Sequence, residues 1–186
     1  MNNTISFGAK FVQKLPIRKY SYEQKDYIQD YANLVELNVH DKKDIRALDD
    51  IAIDFGGDSY VNNMCAYVKQ IARTEKNKIN KNIFVLTRQE DNFENLKTLG
   101  VLGVAETSKM GDKTIELEYL QVHPMYVYAR PPRSVKGIGS AIVKYLQLVN
   151  DKITLIATSS AFYKKCGFKK VSPNGNWMMW EKNKDN

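Results

Sequence analysis

Gly137 and Gly139 stand two positions apart in Ser134-Val135-Lys136-Gly137-Ile138-Gly139, directly ahead of an amphipathic run. That run sets Ile138, Ala141, Ile142, Tyr145, Leu146 and Val149 at helical spacing. A glycine turn opening a helix leaves backbone N–H groups free at the positive end of the helix dipole, where a phosphate or pyrophosphate is held. Glycine also removes the side chain that would keep such a ligand off the backbone. Arg130, Arg133, Lys136 and Lys144 place positive charge around the turn. Without a ligand the same residues make a tight strand-to-helix turn, so the flanking sequence has to decide.

Upstream, Ile115 and Leu117 are apolar, and the pattern then changes parity to Leu120 and Val122 before Pro124. In a strand this shift predicts a β-bulge near Tyr119–Leu120, which frees a backbone N–H or C=O from the ladder. Downstream, Ile153 to Ala157 reads as a strand and Thr158-Ser159-Ser160 as a helix start. Lys164 and Lys165, followed by Gly167, mark that helix's end. The order is bulged strand, glycine turn, long helix, strand, short helix and closing strand.

Earlier in the chain, Asn33 to Val39 alternates as a half-buried strand does. Asp41 is placed to cap a helix with Ile45, Leu48, Ile51, Ala52 and Phe55 on one face. Gly56-Gly57 ends it, and Asp58 or Ser59 caps a second helix with Tyr60, Met64, Tyr67, Val68 and Ile71. Asn82 to Arg88 and Gly100 to Thr107 are strands, and residues 109–113 form a hairpin turn. Residues 1–30, including Ile5, read as an N-terminal extension, a strand or an arm, with 20–31 a linker or a helix. The main domain is expected over 31–182, with 183–186 a polar tail.

Three motifs stand in order: Leu120-x-Val122-x-Pro124, Gly137-x-Gly139-Ser140-Ala141-Ile142-Val143, and Phe162-Tyr163-Lys164-Lys165-Cys166-Gly167-Phe168. Across residues 114–170 the chain thereby resembles the GNAT superfamily of acyl-CoA-dependent N-acyltransferases. The resemblance implies an α/β fold with a central, mostly antiparallel twisted sheet, a bulged and splayed strand, and flanking helices. It implies direct transfer of an acetyl group from acetyl-CoA to an amine. The implied donor-binding residues are Leu120, Gln121, Val122, Arg133, Ser134, Val135, Lys136, Gly137, Ile138, Gly139 and Ser140. Among these, the backbone N–H of Val122 or Leu120 would polarise the thioester carbonyl.

Tyr163, four residues before Gly167, matches the family's general-acid position. A lysine-type amine has a pKa of about 10.4 and must shed a proton before it attacks. Glu116 matches the place where some members keep a base, and Glu118 lies one step nearer the bulge. Both are candidates. The chain departs from the family pattern in two places. Ser134 stands where Arg or Gln is usual, and Pro124 lies thirteen positions before Gly137, a longer interval than is typical. The surplus, 125–133, reads as an inserted hairpin or extended loop.

At 186 residues, 43% of them hydrophobic and 26% charged, the chain suits one globular domain with a substantial core. No apolar run reaches bilayer length, and Met-Asn-Asn-Thr opens no signal peptide. Cys65 and Cys166 form no C-x-x-C pattern, which suggests free thiols in a cytoplasmic setting. His40 and His123 lie outside metal-ligand spacing, so no metal site is expected. The net charge of +7 includes a basic segment of Lys69, Arg73, Lys76, Lys78 and Lys81 without interleaved aromatics. It reads as a solvated helix end and turn in preference to an RNA-facing patch. Asp49, Asp50, Asp54 and Asp58 either face an acceptor cleft, favouring a cationic amine, or form the wet side of a helix. A non-catalytic acyl-CoA sensor or interaction module and an RNA-directed acetyltransferase stay open as alternatives, as do a monomer and a homodimer.

Overall fold

The computed structural model describes residues 8–56, 60–74 and 80–183, with 71–74 given by backbone alone. The expectations placed on Ile5, Gly57, Asp58, Ser59, Lys76 and Lys78, on the side chains of Ile71 and Arg73, and on residues 184–186 lie outside these residues. In chain order, β1 (Lys10–Ser21) and β2 (Asp26–Leu37) precede α1 (Lys42–Asp54) and α2 (Tyr60–Thr74). A meander of β3 (Lys81–Thr87), β4 (Val101–Gly111) and β5 (Thr114–Val122) follows. The rest is α3 (Pro124–Val127), β6 (Val135–Lys136), α4 (Ile138–Val149), β7 (Lys152–Ile156), α5 (Ser160–Lys165), β8 (Lys169–Lys170) and β9 (Trp177–Glu181). These strands form a single sheet in the order β6-β1-β2-β3-β4-β5-β7-β9-β8. Pairing is antiparallel throughout except between β5 and β7.

The unbroken apolar run of β3 reflects burial on both faces. Ile83 and Val85 pack with Leu48 and Ile51 of α1 and Met64 and Val68 of α2. Phe84 and Leu86 turn the other way, into a core with Ile142 and Leu146 of α4. The result is a sheet between two helical layers. Asp41 caps α1 as the sequence indicates, its carboxylate accepting the Lys43 N–H at 2.7 Å.

Of the two readings of the N-terminal residues, a strand or an arm, a strand forms from Lys10 onward: β1 pairs with β2 along its length, and Leu15 and Ile17 are buried in the α4-side core. Other expectations change. Residues 20–31 are neither linker nor helix but hold the hairpin turn and the start of β2. Exposed Tyr22, Ile28 and Tyr31 blurred the two-residue alternation there. The β4–β5 turn is shorter than predicted, with β4 running through Gly111 and Lys113 adopting a left-handed φ of 48°. The 125–133 segment, expected as an inserted hairpin or extended loop, instead opens with α3, because Pro124 suits a first helical turn and the His123 Nδ1 accepts the Met125 N–H at 3.2 Å.

Because Ile17 belongs to the main core, Ile17→Ala should cost about 2–5 kcal/mol of stability, measured by urea unfolding. An unchanged midpoint and slope would place the hairpin outside the cooperative fold.

Candidate active site

The ladder between β4 and β5 skips one residue. Leu117 faces Thr107 and Tyr119 faces Glu106, leaving Glu118 without a cross-strand partner. The bulge expected at Tyr119–Leu120 therefore exists one residue earlier. On its other edge, β5 pairs with β7 only from Thr114 to Glu116, opposite Lys152 to Thr154. Beyond that point the two strands part, and two cavities lie along the gap. One of about 480 Å³ is walled by Tyr60, Glu116, Glu118 and Tyr119. The other, about 540 Å³, is walled by the glycine turn, Arg133, Val122 and Phe162. Leu120, Thr158 and Tyr163 belong to both walls.

The glycine turn has the chemistry of an anion cradle. Gly137 sits at φ 84°, a left-handed conformation that favours glycine. The first intrahelical bond of α4 runs from the Ala141 N–H to the Gly137 carbonyl at 2.8 Å, and no side chain caps the helix. The N–H groups of Ile138, Gly139 and Ser140 thus have no acceptor within the helix. Nothing lies within 4 Å of where a Cβ on Gly137 would stand, so the backbone there is open. A Cβ on Gly139 would come within 3.2 Å of the Phe162 ring and 3.5 Å of Val122. Lys136 lines this cavity while its Nζ sits 3.9 Å from the centre of the Tyr27 ring.

Two of the predicted donor-binding residues stand apart. The Ser134 carbonyl accepts the Tyr20 N–H at 3.0 Å, tying the turn to the N-terminal hairpin, and Ser134 lines neither cavity. Gln121 also lies outside both walls, with its Oε1 buried and unpartnered among the described residues. Val135 and Lys136 pair with Lys19 and Arg18 of β1, which narrows the open amides to the turn and the first residues of α4. The His123 N–H bonds the Leu102 carbonyl at 2.9 Å. Strand alternation therefore turns the N–H groups of Leu120 and Val122 away from β4, toward the gap.

The two candidate bases differ sharply in surroundings. Glu116 has no partner among the described residues and opens onto the cavity. Glu118 accepts bonds from the Ser108 hydroxyl and the Lys81 ammonium, and Lys81 also bonds the fully buried Glu106. The Lys81 Nζ lies 4.0 Å from the centre of the Tyr67 ring. Burial lowers the proton affinity of Lys81, but its bonds to Glu106 and Glu118 outweigh this and hold its pKa above the usual value. Burial pushes the Glu106 carboxyl up despite the lysine. Burial, together with Cys166 and Tyr60, pushes the Tyr163 hydroxyl up to about 12. It stays protonated at neutral pH.

Sequence reasoning missed Lys81, Glu106, Tyr60 and Thr158. Lys81 belongs to the basic segment that reads as solvated, yet it opens β3 and reaches two carboxylates. A charged residue inside the apolar β4 run Val101–Thr107 was the available signal for a buried ion pair. Lys69 of the same basic segment pairs with Asp49 at 2.6 Å. Asp54 meets His123 at 3.2 Å, and neither Asp49, Asp50 nor Asp54 lines the smaller cavity. From the 125–133 segment, Tyr126 and Val127 border the glycine-turn cavity, while Tyr128 is exposed. Cys65 and Cys166 are free thiols. Among the described residues no cluster of His, Cys, Asp and Glu could hold a metal, and no helix is long and apolar enough to cross a membrane.

No family model matches the chain, and no curated protein matches it. Among solved structures it is similar to the PaiA N-acetyltransferase of Thermoplasma acidophilum in complex with coenzyme A, at 16% identity and a TM-score of 0.44, over 80% of this chain and 99% of that one. It is similar to Tetrahymena GCN5 at 16% identity and a TM-score of 0.46, covering 76% and 89% of the two chains. For the spermidine/spermine N-acetyltransferase SpeG of Vibrio cholerae the values are 14%, 0.47, 81% and 92%. The chain's own element order and bulged, splayed β5 follow the arrangement that the motif resemblance implies.

Replacing Lys81 by Met strands the Glu106 carboxylate in the interior. Breaking a buried pair costs about 3–5 kcal/mol. Glu106 already has a raised folded-state pKa, so in the variant the folded protein holds its proton more tightly than the unfolded chain does. Stability of Lys81→Met should therefore fall as pH rises above the ordinary carboxylate range, with a larger deficit in urea unfolding at pH 8 than at pH 5. Equal deficits at both pH values would contradict this.

Proposed function

We propose that the chain is an N-acetyltransferase of the GNAT superfamily, moving an acetyl group from acetyl-CoA to a primary amine. One observation carries the reading: a cavity walled by uncapped helix amides and a cavity walled by carboxylates meet at Leu120, Thr158 and Tyr163. The residues present fit the donor, because the open backbone at Gly137 and the free N–H groups of Ile138, Gly139 and Ser140 suit a pyrophosphate. Arg133 and Lys136 add charge to that wall. When bound, acetyl-CoA supplies an activated acyl thioester.

Each residue then has one task. The Leu120 or Val122 N–H donates to the thioester carbonyl oxygen as negative charge develops on it. Glu116, unpartnered and facing the smaller cavity, takes the proton of the attacking amine, directly or through a water. Glu118 is engaged by Lys81 and Ser108, so it contributes negative charge to the wall in preference to serving as base. The C–S bond breaks as the C–N bond forms. A thiol has a pKa near 8.5, whereas Tyr163 is pushed up to about 12, so Tyr163 donates a hydrogen bond to the departing sulfur without handing over its proton. The proton lost by the amine balances the one the thiolate finally takes up. Carboxylates and tyrosine rings on this wall favour a cationic acceptor.

Acetyl transfer to a panel of primary amines tests the activity. Tyr163→Phe should lower kcat by roughly ten- to a hundredfold with little change in KM for acetyl-CoA or in melting temperature. Glu116→Gln should lower kcat by a similar factor, whereas Glu118→Gln should lower it less. An unchanged rate in Tyr163→Phe, or a larger loss in Glu118→Gln than in Glu116→Gln, would refute these roles. Gly139→Glu puts a carboxylate against the amides and a side chain against Phe162. Calorimetry should then detect no acetyl-CoA binding, and wild-type affinity would overturn the cradle.

A further inference from the structure

Three charged side chains lead from the interior to the wall of the smaller cavity. Side-chain exposure is 0% at Glu106, 11% at Lys81 and 25% at Glu118. The Lys81 ammonium donates to both carboxylates, and its Nζ lies 4.0 Å from the centre of the Tyr67 ring. Two carboxylates and a ring thus surround it, and Lys81 does not line that cavity itself. Stability alone does not account for the arrangement, because apolar residues of similar volume commonly serve a buried position as well as an ion pair does.

The ladder shows why Glu118 has to be held. It is the extra residue of the β5 bulge and has no cross-strand neighbour. Side-chain bonds fix it instead: one carboxylate oxygen accepts from Lys81 and the other from the Ser108 hydroxyl. Each carboxylate oxygen can accept two hydrogen bonds, so each keeps a lone pair for a ligand in the cavity that Glu118 lines.

We infer that Lys81 is a positioning residue for acceptor recognition: with Ser108 it fixes the Glu118 carboxylate as the anchor of the acceptor's ammonium group, from which Glu116 takes the proton. The inference rests on the acetyl-transfer reading above. Lys81 acts through Glu118 and touches no acceptor, while Glu106 holds the ammonium from the buried side. A carboxylate already held binds a cation without first losing side-chain freedom. The sign of the effect separates this role from simple electrostatics. Removing a positive charge near the cavity would by Coulomb attraction alone tighten the binding of a cation. Removing the residue that positions Glu118 weakens it.

The test measures kcat and KM for ethylamine, a cation at neutral pH, and for trifluoroethylamine, whose fluorines keep its amine neutral there. Lys81→Met is combined with Glu106→Gln so that no carboxylate is stranded. Relative to Glu106→Gln alone, the pair should raise KM for ethylamine roughly tenfold, with little change in kcat, in KM for acetyl-CoA or in KM for the fluorinated amine. Ser108→Ala, which leaves the Lys81 contacts in place, should shift the wild type in the same direction by a smaller factor. Adding Glu118→Gln to Lys81→Met/Glu106→Gln should give the KM of Glu118→Gln/Glu106→Gln, because the two residues act as one unit. An unchanged or lower KM for ethylamine, an equal rise for both amines, or independent effects of Lys81 and Glu118 overturns the inference and leaves the acetyl-transfer reading standing. A wild type that acetylates neither amine overturns both.

Discussion

The parallel pairing of β5 with β7 lasts three residues and stops at Glu116 and Thr154. Had it continued, the backbone amides of Leu120 and Val122 would be spent on a neighbouring strand and no space would separate the two halves of the sheet. The bulge at Glu118 helps to end it, because an extra residue bends its strand and increases local twist. A glycine turn, a tyrosine from α5 and two glutamates converge on that opening. None of them builds a site without the gap.

Burial and charge divide the labour among the acidic groups. Lys81 sits between a carboxylate sealed in the interior and another on the cavity wall. Tyr67 of α2 closes over the ammonium, so the helical layer and the cavity floor share one cation. Glu116 escapes this network because it precedes the bulge, opposite Ser108 on β4. Two glutamates that look equivalent in the sequence thereby acquire different environments.

The sequence revealed the later half of the fold because its signals are local. Helical spacing from Ile138 to Val149, the parity shift in β5 and the Gly167 helix end each depend on a few adjacent residues. Tyr163 and the glycine turn could be read with them. The hairpin was harder, because β1 and β2 are half-exposed and carry tyrosines and lysines on the outer side. Lys81 with Glu106, and Tyr60 with Tyr163, were out of reach for another reason. Their partners come from elements far apart in the chain: Glu106 within an apolar run signals that a buried cation must meet it, but not that the cation is Lys81.

The outer margin of β1 has a consequence for how such molecules meet in solution. Among the described residues, β6 pairs there with Arg18 and Lys19 and the Ser134 carbonyl accepts the Tyr20 N–H, while the stretch before them has no ladder partner on that side. An uncovered strand of that length invites association through continued hydrogen bonding between molecules. This one is guarded: the register slips between Phe11 and Gln13, Lys10 and Lys14 carry charge, and Pro16 lacks an amide hydrogen. At the opposite margin β8 is only two residues long. Neither border offers a clean template, so self-association by extending the sheet is discouraged at both ends.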